Sequence, residues 1–133
     1  MIVLDASAAI DLLLNLAPRS RFVRERIERS APALYAPHLL DAEVGQVLRR
    51  YVLQGALSPE DAAAALQDLA DLPVTRYPHG PFLRRAFAMR DNVTVYDALY
   101  LALAESLEAE LVTSDHALAQ VPGCRARVAV AGS

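Results

Sequence analysis

Four of the sixteen acidic residues stand where their neighbours offer neither water nor a counter-ion. Asp5 directly follows the all-apolar run Ile2-Val3-Leu4, and Asp115 follows Leu111-Val112-Thr113. Glu43 lies in Leu39-Leu40-Asp41-Ala42-Glu43-Val44, on a helical stretch otherwise apolar for a turn on either side. Asp97 is the only charge between Asp91 and Glu105. No basic residue falls within five positions of Asp5, Glu43 or Asp97. Burying an unpaired carboxylate costs several kcal/mol, so each acid needs a partner or a route to solvent. Two carboxylates ~5 Å apart repel by roughly 3 kcal/mol at an effective dielectric of 20. Four in one pocket would take up protons or require a cation. Oxygen donors with no histidine or cysteine among them suit a hard ion, Mg²⁺ or Mn²⁺, rather than zinc.

Three of the acids also have a plainer reading. Thr94-x-x-Asp97 is a capping box, the same device as Ser58-x-x-Asp61. Asp5 and Asp115 could each simply cap the next helix. The case for chemistry depends on the four sharing one place, and so on the elements that carry them.

Short apolar strands are expected at 2–4, 33–36, 74–76 and 110–113, with a candidate edge strand at 125–130. Helices are expected at 6–16, 19–29, 37–53, from Ser58-Pro59 to about Asp71, 82–90 and 95–108, with a short one at 116–120. Ser58-Pro59-Glu60-Asp61 is a strong helix start: a cap, proline at the first helical position, and acids facing the dipole. Apolar strands alternating with helices imply a mainly parallel sheet covered on both faces, an α/β sandwich. In such a sheet, ligands bind beyond the carboxyl ends of the strands. Asp5 and Asp115 sit at those ends, Glu43 within two turns of the second, and Asp97 in the first turn of its helix. All four can meet at one edge although 38, 54 and 18 residues separate them.

The composition narrows the classes. With 133 residues, 54% hydrophobic and 22% charged, the chain suits one domain with a sizeable core. The longest apolar run, 98–104, is far short of a membrane span, and an acid at the fifth residue argues against a secretory signal. The single cysteine, Cys124, cannot form an internal disulfide, which fits a cytoplasmic protein. All thirteen basic residues are arginine, which excludes Schiff-base and phosphate-loop lysine chemistry. A net charge of −3 still allows nucleic-acid binding where arginines cluster.

Asp5-x-Ser7 after the first strand, Glu43 in a leucine-rich helix, Thr94-Val95-Tyr96-Asp97-Ala98 and Thr113-Ser114-Asp115 together resemble the PIN-domain ribonucleases. More narrowly, the chain is similar to the toxin component of VapBC toxin–antitoxin systems, over residues 1 to about 130 and with the motifs in the family's order. The resemblance implies a single PIN-like domain over 1–133, a three-layer sandwich whose mainly parallel sheet has four to five strands. It implies an endoribonuclease using Mg²⁺, with Mn²⁺ as substitute, in which Asp5, Glu43, Asp97 and Asp115 hold the metal directly or through water. The metal would activate water for in-line attack on a phosphodiester, leaving a 5′-phosphate and a 3′-hydroxyl. Ser7 and Thr113 match positions that support the acidic site by hydrogen bonds. An antitoxin that presents an arginine to the carboxylates and a homodimer built near the middle of the chain are implied as partners, beside the RNA substrate. Residues 39–57 and 66–72 are apolar enough to supply that dimer face. Two departures stand out. His116-Ala117-Leu118-Ala119 lacks the further acid that many PIN domains carry, which weakens the case for a second metal. Gln46 stands where relatives often have asparagine.

Arg19, Arg21, Arg24, Arg26 and Arg29 fall within eleven residues, a candidate RNA surface, although Glu25 and Glu28 could pair with them along the helix. Arg49-Arg50 and Arg84-Arg85 are similarly placed. His38, His79 and His116 lack metal-ligand spacing; of these only His116, beside Asp115, is a candidate proton donor. Tyr96 and Tyr100 are expected in core or dimer packing, Cys124 as inert, and Asp41 and Asp11 outside the site. A receiver-type phosphoacceptor domain would need an acidic pair after the first strand and a lysine, and Asp5-Ala6-Ser7 supplies neither. A phosphatase built on Asp-x-Asp fails at Ser7 in the same way. A PIN-like binding module without nuclease activity is the alternative from another class.

Overall fold

The fold is given by a computed structural model that describes residues 1–29 and 33–132. Strands β1 (Ile2–Leu4), β2 (Leu34–Pro37), β3 (Val74–Tyr77), β4 (Glu110–Thr113) and β5 (Arg127–Val130) form one sheet in the order β3-β2-β1-β4-β5. All four pairings are parallel. Six helices intervene: α1 (Ala6–Leu13), α2 (Arg19–Arg29), α3 (Leu39–Leu53), α4 (Pro59–Asp71), α5 (Leu83–Ala88) and α6 (Val95–Leu107). The chain steps from β1 outward to β3, then crosses back to β4 on the other side of β1. Right-handed crossovers therefore put α1–α4 over one face and α5–α6 over the other. The packing agrees: α1 lies against α2, α3 and α4, and α6 lies against α5 and the three central strands.

Both faces of the sheet are covered, so β1 is buried throughout and reads as an unbroken apolar run. Residues 98–104 of α6 are buried all round the helix, which explains their lack of amphipathic pattern. Fold class and strand count are as the sequence implies, and the edge strand β5 is present, from Arg127. The first helix is shorter than expected. It ends at Leu13, and Asn15 turns the chain in the left-handed region at φ 54°, a conformation asparagine tolerates better than most residues. The stretch expected as one helix over 82–90 splits into a 3₁₀ turn at Gly80–Phe82 and α5.

The chain reverses direction between β1 and β4. Loops leaving the carboxyl ends of these neighbours diverge to opposite faces, which opens a crevice where ligands of α/β sheets bind. Residue 5 and residue 113 face each other across it: Leu4 is in register with Val112, and the Asp5 amide donates to the Val112 carbonyl at 3.3 Å.

Candidate active site

Asp5 is the N-cap of α1, and its carboxylate is the hub of the crevice. Oδ1 accepts from the Ala8 amide at 3.0 Å and the Ser7 hydroxyl at 2.7 Å, and Oδ2 accepts from the Thr113 hydroxyl at 2.5 Å. Ser7 Oγ also accepts from the Ser114 amide at 2.9 Å, and Thr113 Oγ1 from the Asp115 amide at 3.0 Å. The two hydroxyls approach to 3.2 Å, but with both protons donated to Asp5 that contact carries no further bond. Ser7 and Thr113 thus tie the end of β1 to the turn after β4. The capping reading of Asp5 is borne out, and the same carboxylate also bonds across the crevice to Thr113.

Glu43, on the second turn of α3, accepts from the Tyr100 hydroxyl at 2.7 Å. Asp97 lies in the first turn of α6, whose N-cap Thr94 accepts from the Asp97 amide at 3.1 Å. Asp115 caps the 3₁₀ turn His116–Gln120 through the Ala117 amide at 2.9 Å. Unlike the other three it is exposed, because its turn lies past the sheet edge; the expectation that water cannot reach it fails.

The fields of Asp97 and Asp115 reach the other acids of the crevice. Burial pushes the Asp5 carboxyl up to about 6 against the hydrogen bonds of Thr113, Ala8 and Ser7, and the field of Asp97 adds to it. Glu43 is raised by burial, opposed by the Tyr100 bond, and raised again by Asp97. Asp97 is raised by burial and by the field of Asp115. Asp97 is therefore the member through which the group is coupled.

Other buried acids are treated differently. Glu105, with a side chain only 5% exposed, takes a bidentate Arg85 at 2.8 and 2.9 Å, which pulls its carboxyl down to about 2. Asp11, equally buried, takes Arg19 Nε at 2.9 Å. Among the described residues the ion pairs go to Asp11, Asp41, Glu105 and Glu110, and none to Asp5, Glu43, Asp97 or Asp115. No three histidine, cysteine or acidic side chains among the described residues form a ready-made chelate. The donor chemistry nevertheless fits a hard divalent cation: oxygen ligands, mutual repulsion, and no guanidinium to relieve it.

The PIN domain family profile matches residues 2–123. Ribonuclease VapC1 of Mycobacterium tuberculosis is 46% identical over 122 residues, 91% of this chain and 90% of that protein. The chain belongs to the PIN domain family, among its VapC ribonucleases. The crystal structure of PAE2754 from Pyrobaculum aerophilum superposes with a TM-score of 0.69 at 26% identity, covering 96% of this chain and 81% of that one. VapBC2 from Rickettsia felis, crystallised on a DNA fragment from its promoter, has a TM-score of 0.71 at 12% identity, over 98% and 99% of the two chains. That last likeness is one of fold.

Within this PIN fold two residues matter more than their sequence suggested. Tyr100, expected only to pack, is buried and also donates to Glu43; the available signal was its place three residues after Asp97 on one helix face. Asp11, expected to be peripheral, accepts a short hydrogen bond from Ser114 Oγ beside Asp115. Tyr96, by contrast, is 62% exposed and outside the core. Asp41 is exposed and paired with Arg76, away from the acids, as expected. The α2 arginines bond Asp11, Asn15 and Glu110, rather than Glu25 and Glu28. His79 is structural: its Nε2 accepts from the Leu39 amide at the start of α3.

Proposed function

We propose that the protein is a divalent-metal-dependent endoribonuclease, the toxin of a type II toxin–antitoxin pair, acting in the cytoplasm as one domain over 1–133. The observation that carries this is the contrast among its acids. Among the described residues, the buried carboxylates outside the crevice, Asp11 and Glu105, each have an arginine, and the four acids at the crevice have none. Asp5, Glu43, Asp97 and Asp115 would hold Mg²⁺, or Mn²⁺ in its place. When bound, the ion supplies charge neutralisation at the phosphodiester and a more acidic water for attack at phosphorus. The chain's own residues set the stage. Ser7, Thr113 and the Ala8 amide fix both oxygens of Asp5 and favour its charged form, and Tyr100 orients Glu43. The similarity to Ribonuclease VapC1 supports RNA as substrate. No helix of the described residues is long and apolar enough to cross a membrane.

The antitoxin reading rests on the same unpaired charge, since an arginine offered by a partner would complete the pattern seen at Glu105. The homodimer reading is supported by a groove of about 330 Å³ between α3 and α4, lined by Leu48, Val52, Leu53 and Leu66. The test is end-labelled total RNA with antitoxin-free protein in Mg²⁺ or Mn²⁺, with an EDTA control, beside Asp97→Asn. Discrete cuts bearing 5′-phosphate ends are expected, lost in EDTA and reduced more than about a hundredfold in the variant. Equal, faint degradation by both proteins would identify contamination and leave the binding module as the better reading.

A further inference from the structure

We propose that the pocket beside the acids is a phosphate subsite for the RNA chain, with Arg50 and Arg19 as its ligands; this rests on the nuclease reading and names how that site holds its substrate. The pocket, about 470 Å³, is lined among others by Ser7, Asp11, Arg19, Arg50, Ser114 and His116. Ser7 and Ser114 are also the wall of the acidic centre, since Ser7 donates to Asp5 while accepting from the Ser114 amide. The sign of charge reverses across that wall. On one side stand four acids without an arginine; on the other, Arg19 and Arg50 line the pocket beside one carboxylate, Asp11, which takes Arg19.

Arg19 is held ready for a ligand. Its Nε donates to the buried Asp11, and its stem packs on Gly132, where a Cβ would lie 3.2 Å from Cγ and Cδ. Asp11 is itself fixed by Ser114 Oγ, so the guanidinium is tied to the same turn that carries Asp115. Ordering a long side chain in advance lowers the cost of binding. Asp11 offsets one positive charge, and Arg50 is exposed and enters none of the ion pairs among the described residues. The pocket therefore keeps net positive charge, with guanidinium geometry suited to bidentate phosphate contact. RNA needs that compensation here. A scissile phosphate at the acids brings its neighbours along the same strand, and a flanking basic pocket holds the polyanion against the repulsion of the carboxylates.

The test has two parts. Isotope-labelled protein in EDTA is titrated with inorganic phosphate, and cleavage kinetics are measured on the shortest RNA that the wild type cuts. Phosphate is expected to shift the amides of Ser114, His116 and Gly132, and to do so far more weakly in Arg50→Ala. In kinetics, Arg50→Ala should raise KM about tenfold, as loss of a charge-assisted bond would, with kcat within about twofold of wild type. Its plot of log KM against log salt should flatten by about 0.7 for the lost phosphate, and Arg50→Lys should recover part of the loss. Arg90→Ala, exposed and outside the pocket, is the control. If Arg50→Ala matches Arg90→Ala in both parts, or if phosphate moves no pocket amide, the subsite is refuted while the nuclease stands. If the wild type cuts no RNA yet the amides respond to phosphate and to Arg50→Ala as described, the subsite stands and the nuclease reading fails.

Discussion

Asp5 accepts three hydrogen bonds, and its carboxyl still titrates at about 6 against an ordinary 3.8, because burial outweighs those bonds and Asp97 adds its field. A raised pKa means that the folded chain binds a proton more readily than the unfolded one. Its stabilising contribution is present below about pH 4 and is lost as pH rises through about 6, leaving a penalty of roughly 3 kcal/mol at neutral pH. Glu43 and Asp97 are shifted in the same direction. Glu105 runs oppositely, but its carboxyl, at about 2, loses its contribution only at lower pH. In EDTA the protein should therefore melt at a higher temperature at pH 5 than at pH 7. Mg²⁺ should restore the difference at pH 7 in the wild type and less so in Asp97→Asn. A melting temperature that is flat or rising between these pH values would show that the acids are not jointly strained. Tyr100 makes a sharper case, because its hydroxyl lowers a Glu43 carboxyl that burial raises. Tyr100→Phe keeps the ring in the core and removes only that bond. Cleavage should fall about tenfold, and the acid limb of its pH profile should move to higher pH; an unmoved limb would reduce Tyr100 to packing.

Helices α4 and α6 start with the same device, but only α6 carries an acid of the crevice. Ser58 accepts from the Asp61 amide at 3.0 Å and Thr94 from the Asp97 amide at 3.1 Å. Ser58→Ala and Thr94→Ala should each cost about 1 kcal/mol in denaturant melts. Only Thr94→Ala should also slow cleavage, since it loosens the turn that carries Asp97; equal activity in the two variants would separate the cap from the site. The cap residues also mark what the sequence discloses. The start of α4 at Pro59, all of α2 and the course of α6 follow from caps, proline and apolar runs, whose causes are local. The four acids are legible because a lone charge in an apolar segment is a local anomaly. Their second partners are not. Tyr100 meets Glu43 across 57 positions, and Ser114 meets Asp11 across 103; strand order and parallel register, which are not local, bring such residues together. The same holds for the arginines. Those of α2 lie within reach of helix neighbours, yet tertiary packing gives Arg19 to Asp11 and Arg26 to Glu110.

Across the whole molecule, the two ends of α3 serve different purposes. Glu43, near the start of the helix, belongs to the acidic crevice, while Leu48, Val52 and Leu53 further on line the groove against α4. Leu53 is 68% exposed and Leu66 44%, so the chain's own fold leaves these two apolar side chains at the surface of a groove distinct from the crevice. Association through such a face is driven by apolar burial and should be little affected by salt, whereas RNA binding should weaken steeply as salt rises. Sedimentation at micromolar protein is therefore expected to show a dimer at low and high salt alike. Leu53→Glu combined with Leu66→Glu should give a folded monomer, because both side chains already lie at the surface and two buried like charges would oppose each other across the interface. All four acids and both pocket arginines come from one chain, so that monomer should still cut RNA at a rate close to wild type. A wild type that sediments as a monomer would remove the dimer, and a double variant that is monomeric but inactive would mean that the second copy completes the site.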